Sequence, residues 1–321
     1  MRAATVIEPG RIEIQDVPTP EPGPGQVRVR LEGCGVCASN IPPWEGREWF
    51  NYPMEPGGLG HEGWGTVDAL GEGVIGFEVG DRVAFLSFHS YAEYDVADVG
   101  SVVKLPPEMK GVPLPGEPLG CAVNIFRRCH VEKGDTVAIV GIGFLGALLV
   151  QLCKAAGARV IAIARKAEVL DLARQMGADE TIPMDDHWQI IEKVKALTDG
   201  KGCDVVIEAV GKQWPLDLAA ELTKEMGRLV IAGYHQDGSR QVNLQLWNWR
   251  GLEVTNAHER DPEMYRRGIE EAVESVRTGR LDPSPLYTHR FSLDDLGTAL
   301  DMTKERPAGF MKALVTMGEG G

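Results

Sequence analysis

The stretch that most restricts how this 321-residue chain can fold is Thr136-Val137-Ala138-Ile139-Val140-Gly141-Ile142-Gly143-Phe144-Leu145-Gly146. Thr136–Val140 is a short β-branched run, and a G-x-G-x-x-G turn follows it at once. The apolar segment Phe144–Cys153, broken only by Gly146 and Gln151, then fits a buried helix. The same rhythm extends on both sides, from about Gly120 to Ala257. Strands are expected at Thr136–Val140, Arg159–Ala164, Val205–Glu208, Arg228–Ala232 and Glu253–Asn256, with helices such as Phe144–Ala156 and Glu168–Met176 between them. Strands alternating with helices mean a parallel sheet covered on both faces, here a doubly wound α/β domain of Rossmann type.

The three glycines have distinct physical jobs. Gly141 permits the tight turn, Gly143 removes a side chain that would block a pyrophosphate, and Gly146 lets helix and strand approach. Free N–H groups at the helix start then favour phosphate. With Phe144 and Leu145 in the same turn, and Val210 just past the strand Val205–Glu208, this predicts a dinucleotide site. A ribose 2′-hydroxyl is usually read by an acidic residue at the end of the second strand. Here Ala164 stands there, followed by Arg165 and Lys166, and no carboxylate occurs until Glu168. Two cations after a small residue suit a 2′-phosphate, so NADP is the expected preference, with NAD possible. The competing reading is that both cations are solvated at a helix start.

From Met1 to about Leu119 the pattern is different. Runs at Val27–Leu31, Gly65–Asp68, Arg82–Phe85 and Ala92–Val96 are cut by Gly and Pro, and Pro18–Gly25 is too proline-rich for a helix or central strand. After 257 come a helix from about Pro262 to Arg277 and then short mixed elements. Two domains therefore suit the length: 120–257 as one, and 1–119 with 258–321 as the other. A net charge of −14 argues against a nucleic-acid or anionic-membrane partner. No apolar run reaches the ~20 residues of a membrane span. The charged start does not read as a signal peptide, and six cysteines are too few for a disulfide scaffold. The expectation is a cytoplasmic protein with reduced thiols.

Three fragments of the first zone carry metal-binding residue types: Gly33-Cys34-Gly35-Val36-Cys37-Ala38-Ser39-Asn40, Gly60-His61-Glu62-Gly63, and Gly116-Glu117-Pro118-Leu119-Gly120-Cys121. Cys34 and Cys37 form a CxxC, readable as redox-active or as half a zinc knuckle. No second CxxC exists, and this one lies among short strands rather than beside a βαβ unit. One thiolate, one imidazole and one carboxylate from separate loops would instead give zinc three ligands and an open position, the catalytic arrangement.

In order of features the whole chain resembles the zinc-containing medium-chain dehydrogenase/reductase family. The resemblance rests on PTPEPGPG, GVCASN, GLGHEGWGTV, GFEVGDRVAF, EPLG, VGIGFLGALLVQLCKAAGARVIAIAR and GFMKALV. It implies a discontinuous catalytic domain of distorted-barrel, GroES-like type, with the active site in the cleft beside the cofactor domain. It implies a catalytic zinc surrounded by Cys37, His61 and Glu117, with Glu62 either an exchanging ligand or a supporting group. It implies a hydroxyl at Ser39 bonded to the substrate alcohol, and a basic residue, Lys312, near the pyrophosphate. Glu117, where many members carry cysteine, looks more like the sorbitol and polyol dehydrogenase branch. One departure is clear. No cysteine lies between Cys37 and Cys121, so the lobe that binds a structural zinc in many members is missing. A single zinc per chain is expected.

The function expected is hydride transfer between a secondary alcohol, such as a polyol or sugar, and a nicotinamide cofactor. The partners are then a small alcohol or ketone and copies of the same chain, as a dimer or tetramer. Alternatives are a zinc-free quinone or enone reductase of the same fold and a non-enzymatic NADP-binding regulatory protein. The loop Pro43–Phe50, with Trp44, Trp49, Arg47 and two glutamates, suits a polyhydroxylated ligand or is an ordinary surface loop.

Overall fold

The computed structural model describes residues 1–318, so the last three residues of the expected 258–321 segment lie outside the described residues. The chain separates into two compact units. One comprises Met1–Gly120, Asp261–Arg277 and Ser284 onward; the other comprises Cys121–Arg260 and Thr278–Pro283.

The second unit is built on a six-stranded parallel sheet. Its spatial order is Glu180–Pro183, Arg159–Ala164, Thr136–Val140, Cys203–Glu208, Thr223–Ile231 and Glu253–Asn256. Numbered along the chain, this is the order 3-2-1-4-5-6 of a doubly wound dinucleotide-binding fold, with the switch point between the first and fourth strands. Strands covered on both faces read as continuous apolar runs. Accordingly Val137–Val140 and Val160–Ala164 are buried throughout. Each Val, Ile or Leu withdrawn from water there contributes about 1.5–3 kcal/mol. The helix Phe144–Ala155 follows the glycine turn and buries Ala147 to Val150, Leu152 and Cys153.

The segment 278–283 belongs with this unit, which its expected place in the other domain did not anticipate. The cause is local: the Gln151 side chain donates to the Asp282 carbonyl (2.9 Å) and accepts from the Asp282 amide (2.7 Å).

The first unit is β-rich. The strand Gln26–Gly35 is its spine, pairing antiparallel with Gly63–Leu70, Tyr94–Asp98 and Ala313–Thr316. His289–Ser292, Arg82–Phe85 and Val102–Lys104 extend the sheet, and Arg2–Glu8 with Arg11–Asp16 form a separate hairpin. Alternate residues Val27, Val29 and Leu31 point inward against Val67, Val83 and Phe85, the period-2 pattern of a strand with one buried face. No helix among the described residues is long and apolar enough to cross a membrane.

Candidate metal centre and dinucleotide turn

The spine strand ends at Gly35, and the chain turns into a short 3-10 helix, Ala38–Asn40, with Cys37 as its N-cap. Asn40 is buried and ties this turn down. Its Oδ1 accepts from the Cys37 amide (3.3 Å) and from the Tyr91 hydroxyl (2.8 Å), while its Nδ2 donates to the Leu59 carbonyl (3.0 Å). Leu59 has φ +72°, a left-handed conformation uncommon for a branched side chain. That conformation accompanies a carbonyl with two partners, because the Leu59 oxygen also meets His61 Nδ1 at 2.8 Å. A carbonyl can only accept, so Nδ1 carries a proton, and Nε2 is the nitrogen that remains for a metal ligand bond.

Cys37, His61 and Glu62 thereby converge. Their ligand atoms lie within 4.8 Å of one another, the one such group of three or more found among the described residues. Glu62 is fully buried. Its Oε1 accepts from the Lys312 ammonium at 2.7 Å, and Oε2 stands 2.5 Å from the same nitrogen but outside hydrogen-bond alignment. Room for that carboxylate depends on Gly35, where a Cβ would lie 1.9 Å from Glu62 Oε2.

The electrostatics are those of a cation site. Burial by itself would disfavour a protonated His61. The Cys37 hydrogen bond and charge, with the carboxylates of Glu117 and Glu62, nonetheless push its pKa up to about 10. Burial likewise opposes charge on Lys312, and Glu62, Cys37 and Glu117 outweigh it and push its pKa up. A thiol sulfur, an imidazole whose Nε2 is not taken by the Leu59 carbonyl and a buried carboxylate oxygen without a hydrogen bond are a donor set that fits zinc, which would take the place of the proton that Cys37 and the carboxylates favour on the ring.

The other expected residues fall as follows. Glu117, in the first turn of the helix Gly116–Cys129, stands outside the three-donor group but acts electrostatically on His61 and Lys312. Ser39 lies on the cysteine turn, its amide 3.5 Å from Cys37 Sγ. Lys312, expected near a pyrophosphate, has its ammonium in a buried ion pair with Glu62 beside the donor cluster. The redox reading of the CxxC loses its basis, because Cys34 is fully buried and burial raises its thiol pKa well above the ordinary value. The loop 43–50 divides. Trp44 is core, with Nε1 donating to Asp301 (2.8 Å), whereas Trp49 is 63 % exposed and lies under the Arg47 guanidinium. Asn40, Tyr91 and the Leu59 carbonyl were not singled out from sequence. Asn40 is the last residue of the quoted GVCASN fragment, but nothing in a single sequence says that its side chain points inward.

In the parallel-sheet unit the glycine turn has the shape its spacing implies. Gly141 has φ +102°, and a Cβ there would lie 2.4 Å from Val210 Cγ2. A Cβ on Gly146 would lie 2.2 Å from the Gly141 carbonyl oxygen. Gly143 is the N-cap of the helix that begins with Phe144 and Leu145. Val210 thus stands across the switch point from Gly141, at the carboxyl ends of the strands. Ala164 is buried at the end of its strand. Arg165 and Lys166 are exposed, and Arg165 makes no ion pair or hydrogen bond among the described residues.

Comparisons with known proteins place this geometry. A model of the alcohol dehydrogenase GroES-like domain matches residues 23–107, and a zinc-binding dehydrogenase model matches residues 145–274. The chain is 28 % identical to a sorbitol dehydrogenase of Halalkalibacterium halodurans, covering 96 % of each protein. It is 33 % identical to a quinone oxidoreductase of Pseudomonas aeruginosa, covering 76 % of this chain and 75 % of that one. The solved structure of a zinc-binding dehydrogenase from Sinorhizobium meliloti, bound to NADP, matches with TM-score 0.84 and 27 % identity over 98 % of each chain. The chain belongs to the zinc-type medium-chain dehydrogenase/reductase family of alcohol and polyol dehydrogenases.

Proposed function

We propose that this protein is a zinc-dependent dehydrogenase that interconverts a secondary alcohol and its ketone with a nicotinamide dinucleotide. The observation that carries the reading is the convergence of Cys37, His61 and Glu62 on one point of the β-rich unit. The β-rich unit, 1–119 with most of 258–321, is the catalytic domain in this reading, and 120–257 is the cofactor domain. Relatives named sorbitol dehydrogenase and (R,R)-butanediol dehydrogenase support an alcohol bearing further hydroxyl groups as substrate.

Cys37 and His61 would hold one zinc, with Glu62 or the nearby Glu117 supplying a carboxylate oxygen. Zinc in such a site supplies a Lewis acid for the substrate oxygen, and the nicotinamide takes or gives the hydride. The chain's own residues do the rest. Leu59 orients His61, Lys312 neutralises the buried charge of Glu62, and Asn40 fixes the turn bearing Cys37 and Ser39. Ser39, two residues from Cys37, offers a hydroxyl that can accept the alcohol proton and pass one on. On the cofactor side, Ala164, Arg165 and Lys166 favour a 2′-phosphate, and we assign the preference to NADP. The NADP-bound Sinorhizobium structure is consistent with that assignment.

Metal analysis of purified protein, with steady-state assays on a panel of polyols and secondary alcohols using both dinucleotides, tests the reading. One zinc per chain and alcohol oxidation lost on chelation are expected. Full activity without metal would overturn it. The second reading, a zinc-free quinone reductase, draws on the Pseudomonas relative; it predicts quinone turnover untouched by chelators and leaves the three-donor cluster without a task.

A further inference from the structure

At the carboxyl end of the strand Cys203–Glu208, on the side of the switch point opposite the glycine turn, a buried carboxylate joins two loops. Glu208 is fully buried. Its Oε1 accepts from the amides of Val210 and Gly211, both at 2.7 Å, and its Oε2 lies 2.9 Å from His235 Nε2. On the other side of the imidazole, Arg240 Nε lies 2.9 Å from His235 Nδ1. Arginine has no acceptor, so its Nε–H must donate and Nδ1 must be a lone pair. The carboxylate can only accept, so Nε2 must carry the proton. The two neighbours together allow one form of His235, the neutral Nε2–H tautomer.

The bridge closes into a ring. Arg240 also donates to the Gly211 carbonyl (2.9 Å) and pairs with Asp237, which pairs with Lys212. The backbones are pressed together as well. A Cβ on Gly233 would lie 2.2 Å from the Gly211 nitrogen and 2.6 Å from Glu208 Oε2. The loops 209–212 and 233–240 are therefore tied to each other at several points. What they present is Val210, an apolar side chain left 37 % exposed and facing Gly141 across the switch point. A buried carboxylate needs compensation. Two backbone amides compensate Oε1 directly, and Oε2 is compensated by Arg240 through a neutral ring, a part that is lost if the ring is lost.

We propose that His235 is a positioning residue for dinucleotide binding: as the bridge between Arg240 and Glu208 it holds the Val210 and Gly211 amides, and with them the wall opposite the glycine turn, in the binding geometry. The proposal rests on the reading of this unit as the cofactor domain. His235→Phe keeps a flat ring and removes both hydrogen bonds. The dissociation constants for NADPH and for NADH are expected to rise about tenfold, together and without a change in their ratio. KM for the dinucleotide follows, while kcat at saturation stays within about twofold. The Val210 and Gly211 amides lose hydrogen-exchange protection. His235→Gln, whose amide can donate to Glu208 and accept from Arg240, restores most of the affinity. If His235→Phe does not fold, Arg240→Gln carries the test, with about a threefold loss for both dinucleotides expected. Unchanged dissociation constants in either variant, or a Gln variant no better than Phe, would overturn the bridge. A wild-type protein that binds neither dinucleotide would overturn the cofactor-domain reading instead.

Discussion

The glycine turn and the donor cluster are assembled differently. The turn occupies one continuous run, Thr136 to Gly146, and its geometry follows from local backbone needs: a positive φ at Gly141 and a close approach at Gly146. The cluster joins Cys37 on one loop, His61 and Glu62 on a second, and Lys312, 250 residues beyond Glu62. Its geometry exists only after the spine strand has paired with both Gly63–Leu70 and Ala313–Thr316. A turn encoded in one run keeps its own backbone geometry when a distant partner is lost. A site assembled from distant loops fails when one connection is cut. Four experiments press on that difference.

The largest effect is expected at Cys37. Its thiolate is the strongest zinc anchor of the set. Cys37→Ala should abolish zinc retention and lower kcat/KM by about 10³-fold or more, the several kcal/mol that a Lewis acid provides. Dinucleotide affinity, which belongs to the parallel-sheet unit, should stay unchanged. Equal loss of zinc and dinucleotide binding would break the separation between the two regions.

Next is the buried pair. Lys312→Met leaves Glu62 charged, buried and unpartnered, at a cost of about 3–5 kcal/mol in unfolding free energy. Zinc added to the variant returns positive charge beside that carboxylate, so urea denaturation should show a smaller deficit with zinc than without. The same deficit under both conditions would mean that Glu62 does not sense the metal.

Ser39→Ala sharpens the comparison within the assembled site. Turnover should fall about 10²-fold, the scale of one positioned proton-transfer group. Zinc content and dinucleotide binding should be retained, because the Cys37 turn is held by Asn40 rather than by Ser39. A pH–rate profile identical to wild type would assign the proton to another route.

The smallest effect is expected just past the end of the neighbouring strand Arg159–Ala164. Arg165→Asp should move the NADP-to-NAD ratio of kcat/KM about tenfold to a hundredfold toward NAD, with the change shrinking as salt is raised. A ratio that does not move would show that Arg165, exposed and without an ion pair among the described residues, is simply solvated.

Much of this molecule was legible in advance where neighbours in sequence are also neighbours in space. The alternation of apolar runs and helices announced the parallel sheet, and the sheet was found with its strands in the doubly wound order. Residue types and the family resemblance announced a thiolate, an imidazole and a carboxylate at Cys37, His61 and either Glu117 or Glu62, and did not say which glutamate joins the group. The partners of those side chains were not legible. The resemblance marked Lys312 as a basic residue near the pyrophosphate and gave no sign of its ion pair with Glu62, which depends on antiparallel pairing between the strand Ala313–Thr316 and the spine. Asn40 and Tyr91 carry no signal, because an amide or phenol in a loop is polar whether it faces water or a carbonyl. His235 and Arg240 were silent for the same reason.

Secondary structure, the cofactor turn and the inventory of candidate ligands were thus determined by the sequence alone, through side-chain period, glycine's freedom at positive φ and the fixed chemistry of thiol, imidazole and carboxylate. Tertiary structure decided which ligands meet, that Lys312 compensates Glu62, and that His235 is held in one tautomer. Those outcomes depend on distances between loops far apart in the chain, and desolvation gives the interactions their strength only once the loops have been brought together.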